Sequence, residues 1–244
     1  MDISSPSVDV TTARAGDDNR FATDDQDMTS RPITRRHALL LVMASPIAWT
    51  TRGLQASPSC APSTHPGRMV REAVRRGGVI VLMRHGLTEP GLGDPPGFQL
   101  NDCTTQRNLS EAGRHQSRRM GQWLRQEGLI PARVRSSQWC RCLESANEAF
   151  RLSPVGSALP IEPWPALNSF FQGHGHRDHQ LRDAMAAARD LAVRARPGEF
   201  EVWVTHQVTI SALTGHALGM GEIVVATYDM PDRPLKVLAS GLCF

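Results

Sequence analysis

From Val79 the chain reads Val-Ile-Val-Leu-Met and then breaks into Arg84-His85-Gly86. An unbroken apolar run, partly β-branched, is the pattern of a strand buried on both faces of a parallel sheet. The pattern returns at Glu201-Val-Trp-Val-Thr205, which ends on His206, and more briefly around Val134, ending at Ser136-Ser137. Other stretches carry the helical period. Ser110 is a good N-cap and Glu111 suits a positive helix end, so a helix is predicted to about Gln126, burying Met120, Trp123 and Leu124 before Gly128 stops it. Further helices are predicted over 140–150, 177–194 and 210–218, and a short basic one over 68–76 that leads through Gly77-Gly78 into the first strand. Residues 160–164 read as a brief extended segment, and strands over 223–228 and 235–239 close the chain. Strands alternating with helices predict an α/β fold, a three-layer α/β/α sandwich around a mostly parallel sheet. No internal repeat is present.

Three strand ends then deliver polar groups to one edge of that sheet: Arg84 with His85, the stretch from Ser136 to Arg141, and Thr205 with His206. Open α/β sheets place their ligands at the carboxyl ends of strands. Gly86 permits a sharp turn and a close approach there.

Composition adds bounds rather than chemistry. Of 244 residues, 40% are hydrophobic and 21% charged, as in an ordinary globular chain with one principal domain. A net charge of +3 is too small to argue for nucleic acid or an anionic membrane. Lys236 is the only lysine, a bias that base composition of the gene explains.

The N-terminal third reads differently. Residues 1–33 are polar, rich in Asp, Ser and Thr, and read as a disordered extension. Residues 34–56 carry Arg35-Arg36 ahead of a short apolar run broken by Pro46, the layout of an export signal of twin-arginine character. That run is too short for a comfortable membrane span. Met28 would give the signal a more usual length, with cleavage near Ala56. Ser57-Pro58-Ser59 before Cys60 is a poor lipidation box. Export to the periplasm, with the export machinery as a partner, is the expectation. Residues 57–77 are read as a linker and short helix, and 78–244 as the functional domain.

Four motifs in order carry a resemblance. They are Arg84-His85-Gly86 with Thr88; Leu109-Ser-Glu-Ala-Gly113-Arg-His-Gln116; Ser136-Ser-x-x-x-Arg141-x-x-x-Ser145-Ala146; and Thr205-His206. Together they resemble the histidine phosphatase superfamily, the phosphoglycerate mutase-like family, over roughly 79–218. The resemblance implies a phosphoglycerate mutase-like fold and a phosphohistidine intermediate at His85. A neutral imidazole is a competent nucleophile towards phosphorus, and fixed guanidinium forks stabilise charge spread over three phosphoryl oxygens. Arg84 and Arg141 fit that need, His206 is a further donor, and Thr88 joins Arg84 and Arg141 in substrate binding. No metal and no cofactor are expected, and the partner is a small phosphorylated substrate or phosphate.

The sequence departs from the family at the general acid. Mutase-like members carry Leu-x-Glu where this chain has Leu167-Asn168-Ser169, and acid-phosphatase-like members carry His-Asp where it has His206-Gln207. The alternatives are Glu89, Glu162, Asp178 and the histidines of the tract 173–179, His174 among them. That tract reads as a polar Gly-rich loop rather than a metal site. Cys103 and Cys140 lie beside active-site motifs and could approach across a pocket rim as a disulfide, while Cys142 and Cys243 read as buried thiols. The leading expectation is an exported, metal-independent phosphomonoesterase. The rivals are a weak or inactive binding protein for a phosphorylated envelope ligand and, within the family, a phosphomutase. The stretch from Asp102 to Ser110 is also similar to envelope-associated members.

Overall fold

The structure, a computed structural model, describes residues 64–151 and 159–244. The expected disordered extension, the export signal and Cys60 lie outside the described residues.

Six strands form one sheet: β1 (Val79–Arg84), β2 (Arg133–Ser136), β3 (Ile161–Pro163), β4 (Phe200–Thr205), β5 (Glu222–Thr227) and β6 (Lys236–Cys243). Their spatial order is β3-β2-β4-β1-β5-β6. β1 pairs with β4, β4 with β2 and β2 with β3 in parallel, whereas β5 runs antiparallel to both β1 and β6. One reversed strand therefore leaves the sheet mostly parallel. Crossover helices are what parallel pairing requires, and the chain supplies α1 (Thr64–Arg76), α2 (Glu111–Gln126), α3 (Cys140–Phe150), α4 (Arg177–Arg194) and α5 (Gln207–Thr214).

Alternate residues of β1 explain the three layers. Val79, Val81 and Met83 face a core closed by Val70 and Val74 of α1, Met120 and Leu124 of α2, and Ala146, Ala149 and Phe150 of α3. Ile80 and Leu82 face the opposite core, against Ala184, Ala188 and Leu191 of α4 and Ile210 and Leu213 of α5. Burying each such aliphatic side chain contributes roughly 1.5–3 kcal/mol, so both faces must be covered. α1, read from sequence as a lead-in, is part of this covering layer. α2 and α3 touch at Gly121, where a Cβ would collide with the Ala149 carbonyl; only a residue without one permits that spacing.

Two boundaries differ from the sequence expectation. α5 begins directly after His206 and stops at Thr214, because Gly215 takes a left-handed C-cap conformation (φ 75°) and ends the helix before residue 218. β6 runs on to Cys243 rather than residue 239, since pairing with β5 continues as far as Glu222 opposite Cys243.

Candidate active site

His85 follows β1, and four separate elements pin the turn that carries it. Its amide donates to the Thr205 carbonyl of β4 (3.0 Å), and the Gly221 amide donates to its own carbonyl (3.0 Å). The Gly86 amide donates to Ser145 Oγ of α3 (2.9 Å), while Ser145 in turn donates to the Arg141 carbonyl (2.7 Å). The Leu87 amide donates to Gln116 Oε1 of α2 (3.0 Å), and Gln116 Nε2 reaches the Met220 carbonyl (2.9 Å). Gly113 lets α2 lie against this turn, for a Cβ there would collide with the Leu87 carbonyl. The sequence motifs around Gln116 and Ser145 thus act on backbone placement.

His85 is buried, and its Nδ1 lies 2.9 Å from the Gly86 carbonyl. A carbonyl only accepts, so Nδ1 carries the proton and Nε2 keeps its lone pair. Burial, then the charge of Arg141, with smaller effects of Arg84 and Arg107, lowers the His85 pKa to about 3 against the Gly86 hydrogen bond. The imidazole is neutral across the physiological range. His206 lies beside it, ring centroids 5.5 Å apart and the planes at 66°. Burial first, then the nearby His85 and arginines, holds His206 well below its ordinary pKa. Its Nε2 lies 2.8 Å from Ser137 Oγ, and Trp139 packs edge-on against it (5.3 Å).

Both histidines line a cavity of about 210 Å³ together with Arg84, Asp94, Arg107, Trp139, Arg141 and His174. Three guanidinium groups therefore share the cavity with one carboxylate, which pairs with Arg141. Arg84 and Arg107 are each lowered in pKa, first by burial and then by neighbouring arginines. The Nε atoms of Arg84, Arg107 and Arg141 are buried without a hydrogen-bond partner. Unsatisfied buried donors of like charge are costly, and an anion with several oxygens supplies the acceptors that such donors lack. A phosphoryl group fits that donor set. Among the described residues, no cluster of three or more His, Cys, Asp or Glu side chains is arranged to hold a metal ion.

Not every residue named from sequence is brought here. Glu89 is exposed on the loop after β1. Glu162 lies on edge strand β3, 3.6 and 3.5 Å from the guanidinium groups of Arg133 and Arg135. Asp178 faces a separate groove between α4 and the loop joining β5 to β6 and pairs with Arg177 at 3.1 Å. Thr88 bridges to Leu109 and turns its hydroxyl towards Met220 Sδ (3.9 Å), away from the cavity-lining set. Of the candidate acids, only His174 lines the cavity, its ring against Phe98 (5.0 Å) and Trp139 (6.5 Å). His176 precedes α4 and His179 pairs with Asp183 (3.1 Å), so the histidine tract disperses.

Sequence reasoning missed Arg107 and Asp94. Arg107 lies between the first two motifs, where no strand or helix period marks its direction. Asp94 sits in a Gly/Pro-rich loop that has no period at all. Cys103 and Cys140 are joined by a disulfide, with Cα atoms 5.7 Å apart. Cys142 is a free buried thiol beneath His206, its Sγ 3.4 Å from Nε2, and burial pushes its pKa up to about 12. The Cys243 side chain lies outside the described set.

Residues 80–174 match the family model of the histidine phosphatase superfamily (branch 1). That matched stretch takes in β1 to β3 together with His85, Arg107, Arg141 and His174. No curated protein matches the chain. Among solved structures, one described as mycobacterial hydrolase 1 is similar at TM-score 0.50 and 15% identity, covering 69% of this chain and 100% of its own. The protein histidine phosphatase SixA complexed with tungstate gives TM-score 0.45 at 17% identity, covering 67% of this chain and 97% of its own. Phosphoglycerate mutase from Bacillus anthracis str. Sterne gives 0.44 at 17%, covering 70% and 95%. The similarity to mycobacterial hydrolase 1 is one of fold. The match of residues 80–174 to this family model supports an enzyme that is a phosphatase or a mutase.

Proposed function

We propose that the protein is an exported phosphomonoesterase that works without a metal through a phosphohistidine at His85. One observation carries this reading: a neutral imidazole with its Nε2 lone pair free stands among three arginines whose Nε donors lack partners. In the first half-reaction, His85 Nε2 forms a bond to phosphorus while the bond from phosphorus to the leaving oxygen breaks. Arg84, Arg107 and Arg141 stabilise the charge on the transferring oxygens, with the His206 ring packed beside His85. In the second half-reaction, water attacks phosphorus, the N–P bond breaks and orthophosphate departs. His174 supplies the proton to the leaving oxygen and receives one from the attacking water. The Arg35-Arg36 segment supports export, and a disulfide suits an oxidising compartment.

A second reading, a phosphoanion-binding protein without turnover, is favoured by one fact. Ser169 and Gln207 stand where carboxylates stand in better-known members. Retention of a nucleophile held in its reactive tautomer speaks for catalysis. A phosphomutase is the weaker alternative, because the same Ser169 replaces the mutase glutamate.

The deciding experiment is hydrolysis of an activated aryl phosphate by wild type and His85→Ala, with and without chelator. Turnover that survives chelation and vanishes in the variant supports the proposal. A folded wild type that binds orthophosphate yet never turns over this good leaving group would leave the binding reading in its place.

A further inference from the structure

Asp94 is the one carboxylate among the described residues that lines the cavity, and nothing in the phosphoryl-transfer scheme uses it. Its two oxygens meet four donors from three places in the chain. Oδ1 accepts from the Arg107 amide (3.0 Å) and from Arg141 Nη1 (2.7 Å). Oδ2 accepts from the Trp139 indole (3.0 Å) and from Arg141 Nη2 (3.1 Å). Four donors on two oxygens, two of them from a guanidinium, favour the ionised form. The carboxyl is accordingly held below its ordinary range: burial opposes this, but the hydrogen bonds and charge of Arg141, the Arg107 amide and the Trp139 indole outweigh it.

The donors of Arg141 can be counted. A guanidinium has five N–H groups in a rigid fork. Asp94 takes one from each terminal nitrogen, and the Arg107 carbonyl lies 3.4 Å from Nη1. The end of the fork is thereby closed to a ligand. What remains is the side edge, the Nε–H and the adjacent N–H of Nη2, and this Nε is among the buried atoms without a partner. Two parallel N–H bonds on one edge suit two phosphoryl oxygens.

We propose that Asp94 is the positioning residue of the phosphoryl site. It grips Arg141 end-on, so that only the side edge addresses the substrate. With the same two oxygens it sets the backbone of Arg107 and the indole of Trp139, which packs on His206. The inference rests on the phosphomonoesterase reading above. It places in a loop before the second motif a function that the four family motifs do not contain. It also leaves the three cavity arginines against one carboxylate, a balance suited to a dianionic monoester rather than a singly charged diester.

The test uses the full chain and compares wild type, Asp94→Asn, Asp94→Ala, Arg141→Ala and the Asp94→Ala/Arg141→Ala double variant. Aryl phosphate kinetics, orthophosphate affinity by calorimetry and thermal unfolding are measured for each. Asp94→Ala is expected to lower kcat/KM by about 10²–10³-fold, the usual loss for one transition-state donor, because Arg141 is no longer held. Orthophosphate binding should weaken with it. The double variant should lose no more than a few-fold beyond Arg141→Ala alone, since residues acting through one another are not additive. Asp94→Asn keeps the shape but not the charge, and should retain more stability than activity. Independent losses that multiply in the double variant would overturn the positioning role, as would an Asp94→Ala enzyme with wild-type kinetics. A wild type that neither hydrolyses aryl phosphate nor binds orthophosphate would instead overturn the phosphomonoesterase reading and this inference together.

Discussion

Cys140, the residue before Arg141, is bonded through sulfur to Cys103, four residues before Arg107. The disulfide therefore joins the two segments that carry two of the three cavity arginines. A second tie runs beside it: the Cys140 amide donates to Gln106 Oε1 (3.0 Å), and Gln106 Nε2 grips the Gln99 and Leu100 carbonyls (3.0 and 2.9 Å).

Reducing this bond should loosen the cradle before it unfolds the domain. The linked cysteines are 37 residues apart, and closing a loop of that size constrains the unfolded chain by about 3–4 kcal/mol. The Cys103→Ser/Cys140→Ser variant should melt at a lower temperature and show a raised KM for aryl phosphate, by about tenfold if one charged contact of roughly 1.4 kcal/mol is lost. Thermal unfolding and steady-state kinetics of the oxidised protein and the variant check this. An unchanged KM would mean that the Gln106 clamp alone places Arg107.

Burial of two neutral histidines makes stability depend on pH in a defined direction. The His85 pKa is about 3 in the folded protein against an ordinary 6.5, and His206 is also well below 6.5. Between those limits the unfolded chain binds protons that the folded chain refuses. Stability is thus complete above about pH 6.5 and falls as the solution is acidified towards the folded values. Each histidine contributes up to about 1.4 kcal/mol per pH unit over that window. Chemical denaturation at a series of pH values should show this slope, and His85→Gln should flatten it. The same shift means that the acidic limb of kcat/KM does not report protonation of His85.

The contrast between what was legible and what was not follows the physics of each signal. β1 and β4 were legible because a strand buried on both faces needs an apolar run, and the polar residues that end it have no other place to go. Gln116 and Ser145 were visible as letters of motifs, yet their work, holding the amides of Leu87 and Gly86, is a three-dimensional relation. Asp94 left no trace, because a loop residue chosen for the reach of one carboxylate obeys no period. Glu162 was misleading for a related reason. Its segment was read as extended, but sequence does not say that β3 is the sheet edge, where Arg133 and Arg135 claim the carboxylate.

His174 gives a prediction that depends on the leaving group. A proton donor matters in proportion to the basicity of the oxygen that departs. His174→Ala should therefore lower kcat/KM for an alkyl phosphate by about 10²-fold or more, the usual contribution of a general acid, while activated aryl phosphates lose much less. Measuring both substrates with wild type and variant gives the ratio directly. Equal losses on the two would assign His174 to packing against Phe98 and Trp139, and the leaving oxygen would then depart unassisted.

Ser145 separates placement of the nucleophile from binding of the phosphate. It accepts the Gly86 amide and donates to the Arg141 carbonyl, and it is fully buried. Ser145→Ala leaves the Gly86 amide without its partner, which costs about 1–3 kcal/mol of stability. The Arg141 side chain keeps its own anchor on Asp94, so substrate affinity should change little. The turn carrying His85, by contrast, loses one of its four tethers, and in-line attack tolerates little displacement: a shift near 1 Å can cost about 10²-fold. The expected signature is a fall in kcat of roughly 10- to 100-fold with KM nearly preserved, alongside a lower melting temperature. A rise in KM with kcat preserved would show instead that Ser145 acts through Arg141, by way of the carbonyl it caps, rather than through the backbone of His85.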